Sequence, residues 1–229
     1  MALEPLFKLE QPEIQDKIPK SVMRKIRSRL KYLDEGIQRV EKAAELKYPT
    51  YYVEPFLPIV SSELEPSQIG VMYARTIPIE VEGSLEIVVQ ITAALIAYGS
   101  KATLHAVLAH EFLHYASLVK QFTSRELLSA ELTSSMFEAV HLDTSGFSQL
   151  EKIYKDKSLK RLLKRKFSNG LVDERLHKNV LKHWLAKGLP TIRLTPDSNV
   201  MKISIQSVFN LKFDQMLLTR LKEIERVNK

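Results

Sequence analysis

The segment from Ser100 to Gln121 constrains the fold more than any other part of the sequence. Its apolar residues recur with helical spacing, and Ser100 is a good N-cap because its hydroxyl can accept a backbone N–H at the start of a helix. Between residues 107 and 116, only three side chains are acidic, basic or imidazole: His110, Glu111 and His114. A surface helix would normally carry lysine or arginine here, so we predict that this helix is buried.

A second helical pattern lies near the N-terminus, from Pro19 to about Leu46. Its apolar side chains fall in one stripe, formed by Val22, Ile26, Leu30, Leu33, Ile37, Val40 and Ala44. The spacing is close to a heptad seam, which leaves two interpretations open. The helix packs on its own domain, which Gly36 inside the run favours, or it forms a homodimer through this N-terminal helix.

The remaining pattern mixes strands and helices, so we predict an α+β fold. Thr123 and Glu126 form a capping-box pattern that opens a helix to about Leu142, directly after the central one. Strands are predicted at residues 69–79 and 85–92, further helices at 149–167, 172–187 and 209–227, and a hairpin at 191–194 and 200–205. We divide the chain into an N-terminal arm and long helix (1–48), a core (49–145) and a basic helical region with the hairpin and last helix (146–229).

Composition restricts the chemistry and the cellular setting. The chain contains no cysteine, so a metal site must use histidine, aspartate and glutamate, and a disulfide framework is excluded. The most apolar stretch, residues 87–98, is too short to cross a membrane, and the N-terminus lacks the basic and apolar regions of a secretory signal. We therefore expect a cytoplasmic protein that makes no membrane contact.

The motif His110-Glu111-Phe112-Leu113-His114 predicts a zinc site. The two imidazoles stand one helical turn apart on the same face, so both can reach one zinc ion. Glu111 lies about 100° further round the helix, where it can act on a water held by the metal rather than bind the metal itself. The metal lowers the pKa of that water toward about 7, and the Glu111 carboxylate acts as the general base.

A catalytic zinc needs a third protein ligand, and the following helix offers three glutamates. Glu126 is expected to serve the helix cap. Glu131 and Glu138 are seven residues apart and share a face. We favour Glu131 because it lies in the second turn, nearest the motif helix, with small residues around it. Glu138 stays the alternative, and would otherwise orient an imidazole.

The order of a strand, a helix with HEFLH, a short turn and a helix with glutamate resembles the gluzincin metallopeptidases. The thermolysin-like active-site layout is most similar to the compact minigluzincins, and the resemblance covers residues 69–142. It implies a zincin-like core with a small mixed sheet. It also implies zinc bound by His110, His114 and a glutamate, and a peptidase that hydrolyses peptide bonds of a peptide or protein substrate through a zinc-activated water.

Two expectations complete the predicted site. An oxyanion-stabilising group is required, and His177 is similar to a downstream histidine of the family, while Tyr115, His141 and His183 also qualify. The strand at residues 85–92 is expected to be the sheet edge that pairs with an extended substrate.

A basic run leaves functions other than peptide hydrolysis open. Eight lysines and arginines crowd residues 152–166, and such a stripe can contact phosphates, so we expect at most weak nucleic-acid contact through Lys152–Lys166. The pairing of HExxH with nucleic-acid association also resembles SprT-like peptidases. The alternative functions are a catalytically inert zincin-like protein that binds nucleic acid or acts as a scaffold, and a metal hydrolase that is not a peptidase.

Overall fold

The structure is a computed structural model of the chain and describes residues 4–61, 69–81, 84–123, 151–167, 170–194 and 213–226. Its helices are α1 (Pro12–Lys17), α2 (Lys20–Ala44), α3 (Ala93–Tyr98), α4 (Lys101–Thr123), α5 (Lys157–Lys166), α6 (Glu174–His183) and α7 (Gln215–Arg226). Its strands are β1 (Tyr51–Glu54), β2 (Leu57–Ser61), β3 (Ile69–Val71), β4 (Ala74–Val81), β5 (Ser84–Thr92) and β6 (Thr191–Leu194). The predicted α+β class is confirmed. Among these helices, none has the length and apolar composition that crossing a membrane requires.

Two small mixed sheets lie beside the helices. In the first, the strand order is β1-β5-β4, with β5 parallel to β1 and antiparallel to β4. The second has the order β3-β2-β6. The prediction that residues 85–92 form the sheet edge is wrong, because β5 is paired on both sides. Its apolar residues, such as Val88, Val89 and Ile91, are fully buried, as expected of a central strand. Within the described residues, β1 and β4 are the two edge strands of this sheet.

Helix α4 is buried along most of its length, as predicted. Ser100 caps it, since the Ser100 hydroxyl accepts a hydrogen bond of 3.0 Å from the backbone N–H of Thr103. Two tyrosine hydroxyls donate to carbonyl oxygens in the turn before the motif: Tyr48 to Leu108 at 3.0 Å and Tyr154 to Ala109 at 2.6 Å. These contacts fix the helix from two separate parts of the chain.

Helix α2 packs its apolar stripe on α3 and α4 of the same chain. Gly36 lies at the crossing with α4, where a Cβ atom would come within 2.5 Å of Leu108 Cδ1 and 2.9 Å of His105 Cδ2. The glycine therefore allows the two helices to approach closely. This arrangement agrees with the interpretation that α2 packs on its own domain, and the homodimer stays a prediction.

Filling this contact is expected to destabilise the fold. Gly36→Val should lower the free energy of unfolding by about 1–3 kcal/mol, because the added atoms displace the buried side chains of His105 and Leu108. The control Ser28→Val places the same side chain on an exposed position of α2 and should change stability by less than about 0.5 kcal/mol. Urea denaturation of both variants measures the difference, and equal stabilities would contradict this packing.

The C-terminal region differs from its predicted pattern, and the predicted helix at 172–187 consists of α6 followed by a 3-10 turn at Leu185–Lys187. The predicted helix at 149–167 is divided into a 3-10 turn at Glu151–Ile153 and helix α5. The division arises because the Asp156 carboxylate accepts from the backbone N–H of Ser158 at 2.6 Å and starts a new helix. Strand β6 pairs in parallel with β2, and the predicted hairpin partner at 200–205 lies outside the described residues. The three-segment division stays a prediction.

Candidate metal centre

The three motif side chains lie together on the cleft side of α4. The Nε2 atoms of His110 and His114 are 3.0 Å apart, and each histidine offers a ring nitrogen within 4.8 Å of a Glu111 carboxylate oxygen. His114 and Glu111 are only 3% and 5% exposed, while His110 is partly exposed. The sequence prediction that these three residues form one cluster is therefore confirmed.

The histidine pair suits a divalent transition metal. Two nitrogens at 2.0–2.1 Å from a tetrahedral zinc ion lie roughly 3.3 Å from each other, close to the observed separation. Imidazole nitrogens suit zinc, copper, iron and nickel, so the donor type and spacing fit a metal without selecting one.

Glu111 is held from the sheet side by Thr76 on β4. The Thr76 hydroxyl lies 2.8 Å from Glu111 Oε2 and 3.1 Å from the Glu111 carbonyl oxygen. Burial raises the pKa of Glu111 to about 8, although the hydrogen bond from Thr76 acts in the opposite direction. A nearby divalent cation would lower this pKa, because its charge favours the ionised carboxylate.

The motif faces a cleft of about 270 Å³ with three walls. Helix α4 forms one wall, and residues 70–74, which join β3 to the start of β4, form the second. The third wall consists of Phe167, Gly170 and Leu171. The lining is largely apolar away from the three motif residues, as is usual for small ligand-binding clefts.

Phe167 covers the His110 ring. The two ring centroids are 4.0 Å apart and the ring planes are inclined by only 6°. The His114 ring meets His110 edge-on, at 4.6 Å and 85°. His110 is thus enclosed between an aromatic face and its partner imidazole.

A network around Asp173 ties the third wall to α4. The Asp173 carboxylate accepts from Lys166 at 2.8 Å, from the Thr103 hydroxyl, and from the backbone N–H of Leu176 at 2.9 Å. Burial alone would raise the pKa of Asp173, but these hydrogen bonds outweigh it and hold the pKa below its ordinary value of 3.8. Since Lys166 precedes Phe167, the network anchors the residue that covers His110.

Replacing this carboxylate is expected to destabilise the protein in a pH-dependent way. Asp173→Asn should cost about 2 kcal/mol at pH 7, because it removes charge-assisted hydrogen bonds to Lys166 and Thr103. A carboxylate with a lowered folded pKa stabilises above its unfolded pKa, so the cost should shrink as the pH falls below about 4. Urea denaturation between pH 3 and 7 measures it, with exposed Asp16→Asn as the control, and a pH-independent difference would contradict the network.

The structure places His177 behind the cleft wall. Its Nδ1 lies 2.9 Å from the Tyr73 hydroxyl, and its Nε2 lies 3.4 Å from the carbonyl oxygen of Leu171. Tyr73 and Leu171 line the cleft, whereas His177 does not. His183 stacks on Tyr98, with ring centroids 5.8 Å apart, and Tyr115 contacts Phe112. The catalytic role predicted for His177 stays a prediction.

Several predicted residues lie outside the described residues: Glu126, Glu131, Glu138 and His141. The choice of Glu131 as the third ligand therefore stays a prediction. Thr76 and Phe167, which contact the motif from other elements, were not predicted as site residues. Phe167 directly follows the basic run and Thr76 lies in a predicted strand, so neither carried a local signal of a site.

Comparisons of the chain with protein-family models, with curated proteins and with solved structures gave no match.

Proposed function

We propose that this chain is a zinc-dependent peptidase whose metal is held by His110 and His114, with Glu111 as general base. The observation that carries the proposal is the His-Glu-His cluster, with Glu111 and His114 buried and His110 partly exposed, that faces an open cleft. A zinc ion held by these two histidines would act as a Lewis acid and would lower the pKa of a coordinated water toward about 7. Glu111 takes a proton from the attacking water and passes it to the leaving amine.

The arrangement of Glu111 favours this role over a structural one. Its carboxylate is buried. Among the described residues, only the Thr76 side chain forms a hydrogen bond with it, at Oε2. A buried carboxylate without a cation is costly, because desolvation disfavours its charge. A metal ion in the cleft would offset that cost, because its charge favours the ionised form of Glu111. The ionised carboxylate could then act as a base toward a water beside it.

The cleft also offers a site for an extended peptide. Within the described residues, β4 pairs only with β5, so its other edge is open to a further strand. The start of β4 borders the cleft at Tyr73 and Ala74, beside the motif. A substrate that adds to this edge by main-chain hydrogen bonds would bring a peptide bond past Glu111. We propose β4, in place of β5, as the substrate strand.

The remaining ligand completes the proposed centre. We propose Glu131 as the third metal ligand, with Glu138 as the alternative, because a catalytic zinc commonly takes three protein ligands. Neutralising the ligand should weaken zinc binding strongly. Comparing the zinc affinities of Glu131→Gln and Glu138→Gln identifies it.

A mixture of unrelated peptides, analysed by mass spectrometry, tests the proposed activity. Wild-type protein loaded with zinc should cleave peptide bonds, lose this activity with a chelator and regain it when zinc is restored. Cleavage that persists with the chelator would contradict a metal-dependent mechanism. A zinc-dependent loss of ester or other amide substrates, with all peptides intact, would instead indicate a metal hydrolase that is not a peptidase.

A second proposed function is nucleic-acid binding through α5. Four of its cations, Lys157, Lys160, Arg161 and Lys164, line one surface depression, while Leu159, Leu162 and Leu163 are buried on the other side of the helix. A helix that presents one cationic face can follow a phosphate backbone. This face suits either an accessory role beside the peptidase or the inert nucleic-acid-binding alternative.

Salt-dependent binding to a DNA duplex, followed by fluorescence anisotropy, tests this second function. Changing the four cations to glutamine should reduce the slope of log affinity against log salt concentration by about 3.6 if each contacts a phosphate. The matched control changes four exposed cations of α2 to glutamine: Lys20, Arg24, Arg27 and Lys31. Equal slopes for the two variants would contradict a site on α5, and binding unaffected by Glu111→Gln would separate it from catalysis.

A further inference from the structure

Among the described residues, Phe167 has the aromatic ring nearest to the His110 imidazole, and it comes from a different element. The phenyl and imidazole rings of Phe167 and His110 lie face to face, 4.0 Å apart and inclined by 6°. We propose that Phe167 is a positioning residue that holds the His110 imidazole in its metal-binding orientation. The proposal rests on the metal centre proposed above and adds a residue outside the motif.

The contact restricts the motion that matters for metal binding. An imidazole on a helix reaches a metal only when rotation about its side-chain bonds directs one nitrogen to the ion. A flat ring stacked on one face, with His114 edge-on at 4.6 Å, leaves His110 little freedom to rotate. A metal-bound imidazole also shares the positive charge of the metal, which the electron-rich face of a phenyl ring favours.

Phe167 is itself held in place by contacts that need no metal. Its backbone N–H donates to the Leu163 carbonyl oxygen at 2.8 Å, where α5 ends. Its backbone forms an antiparallel bridge with Leu171, and the N–H of Val172 donates to the Lys166 carbonyl oxygen at 2.8 Å. The stacking partner of His110 is therefore in position before the ion arrives.

The hydrogen-bond network that holds the chain beside Phe167 is attached to α4, the helix that carries His110. Lys166 pairs with Asp173, and Asp173 accepts from Thr103 on α4, two turns before His110. Helix α4 thus carries both the imidazole and the hydroxyl that fixes the network beside Phe167. Residues that do not bind the metal commonly raise metal affinity by orienting a histidine ligand, usually through a hydrogen bond. Here the face of the Phe167 ring makes the contact instead.

Zinc affinity measured by competition with a chromophoric chelator tests the proposal. Phe167→Leu should weaken zinc binding by about tenfold, the lower end of the effect of such outer contacts. Phe167→Tyr keeps the ring and should bind zinc nearly as well as wild type. Phe122→Leu is the matched control, because Phe122 lies on α4 and contacts Phe213 rather than the motif. Phe167→Met serves as a second variant if the leucine variant is poorly folded.

A second measurement detects the stacking of Phe167 on His110 in the absence of metal. In NMR spectra of metal-free protein, the His110 ring protons should be shifted upfield by the phenyl ring current in wild type and Phe167→Tyr, and not in Phe167→Leu. Wild type that binds zinc with the same affinity as Phe167→Leu would overturn the positioning role alone. Wild type that binds no zinc would overturn the metal centre itself, and the role with it.

Discussion

Glu111→Gln is expected to lower the rate of peptide hydrolysis by about 10²–10⁴-fold, because glutamine cannot accept the proton of the attacking water. The amide has nearly the same shape as the carboxylate and can keep the contact with the Thr76 hydroxyl at Oε2. Zinc binding by His110 and His114 should therefore persist. The loss should appear in the maximal rate rather than in substrate binding, as measured by steady-state kinetics on a cleaved peptide.

A matched control separates the chemistry from a general loss of charge. Glu13→Gln makes the same change on an exposed position of α1, and should leave the rate unchanged. Removing the buried carboxylate also eliminates a group whose pKa is raised to about 8, so the metal-free variant should be at least as stable as wild type at pH 7. Full peptidase activity in Glu111→Gln would show that another group is the base.

His114→Ala is expected to abolish the stabilisation of the protein by zinc. With free zinc at about 100 times its dissociation constant, the wild-type chain should gain about 2.7 kcal/mol. In a protein of this size that gain corresponds to a rise of roughly 5–10 °C in the thermal midpoint. The variant should show no such rise, since His110 and the proposed glutamate ligand alone hold zinc weakly. The rise should also diminish at about pH 5, where protons compete for the imidazole nitrogens.

His183→Ala provides the control for this second prediction. His183 ends α6 and stacks on Tyr98, outside the cleft, so its removal should leave the zinc-dependent rise in place. Differential scanning calorimetry with and without zinc measures both variants. A rise in His114→Ala equal to that of wild type would mean that zinc binds elsewhere on the chain.

Local signals in the sequence were sufficient to predict the central helix and the motif cluster. The Ser100 cap and the absence of lysine and arginine around Phe112 are properties of neighbouring residues, and helical geometry alone places His110 and His114 on one face. The stripe on α2 likewise predicted a buried face. Gly36 indicated that the helix packs inside its own chain, and the structure shows the close contact that only a glycine allows.

Features that depend on pairing between distant segments could not be predicted in the same way. An apolar strand such as β5 has the same composition whether one or both of its edges are paired, so its central position was missed. Thr76 and Phe167 are distant from the motif in sequence, and only the fold brings them to Glu111 and His110. The parallel pairing of β6 with β2 was missed for the same reason.

Zinc content shows whether His110 and His114 hold a metal ion. Elemental analysis should be made on wild type and His114→Ala, both purified without a metal-affinity tag and reconstituted with zinc under the same conditions. The proposed centre predicts about one zinc per wild-type chain and none above background in the variant. Wild-type protein that retains no metal after reconstitution would contradict the account, because the His-Glu-His cluster would then have no role in holding an ion.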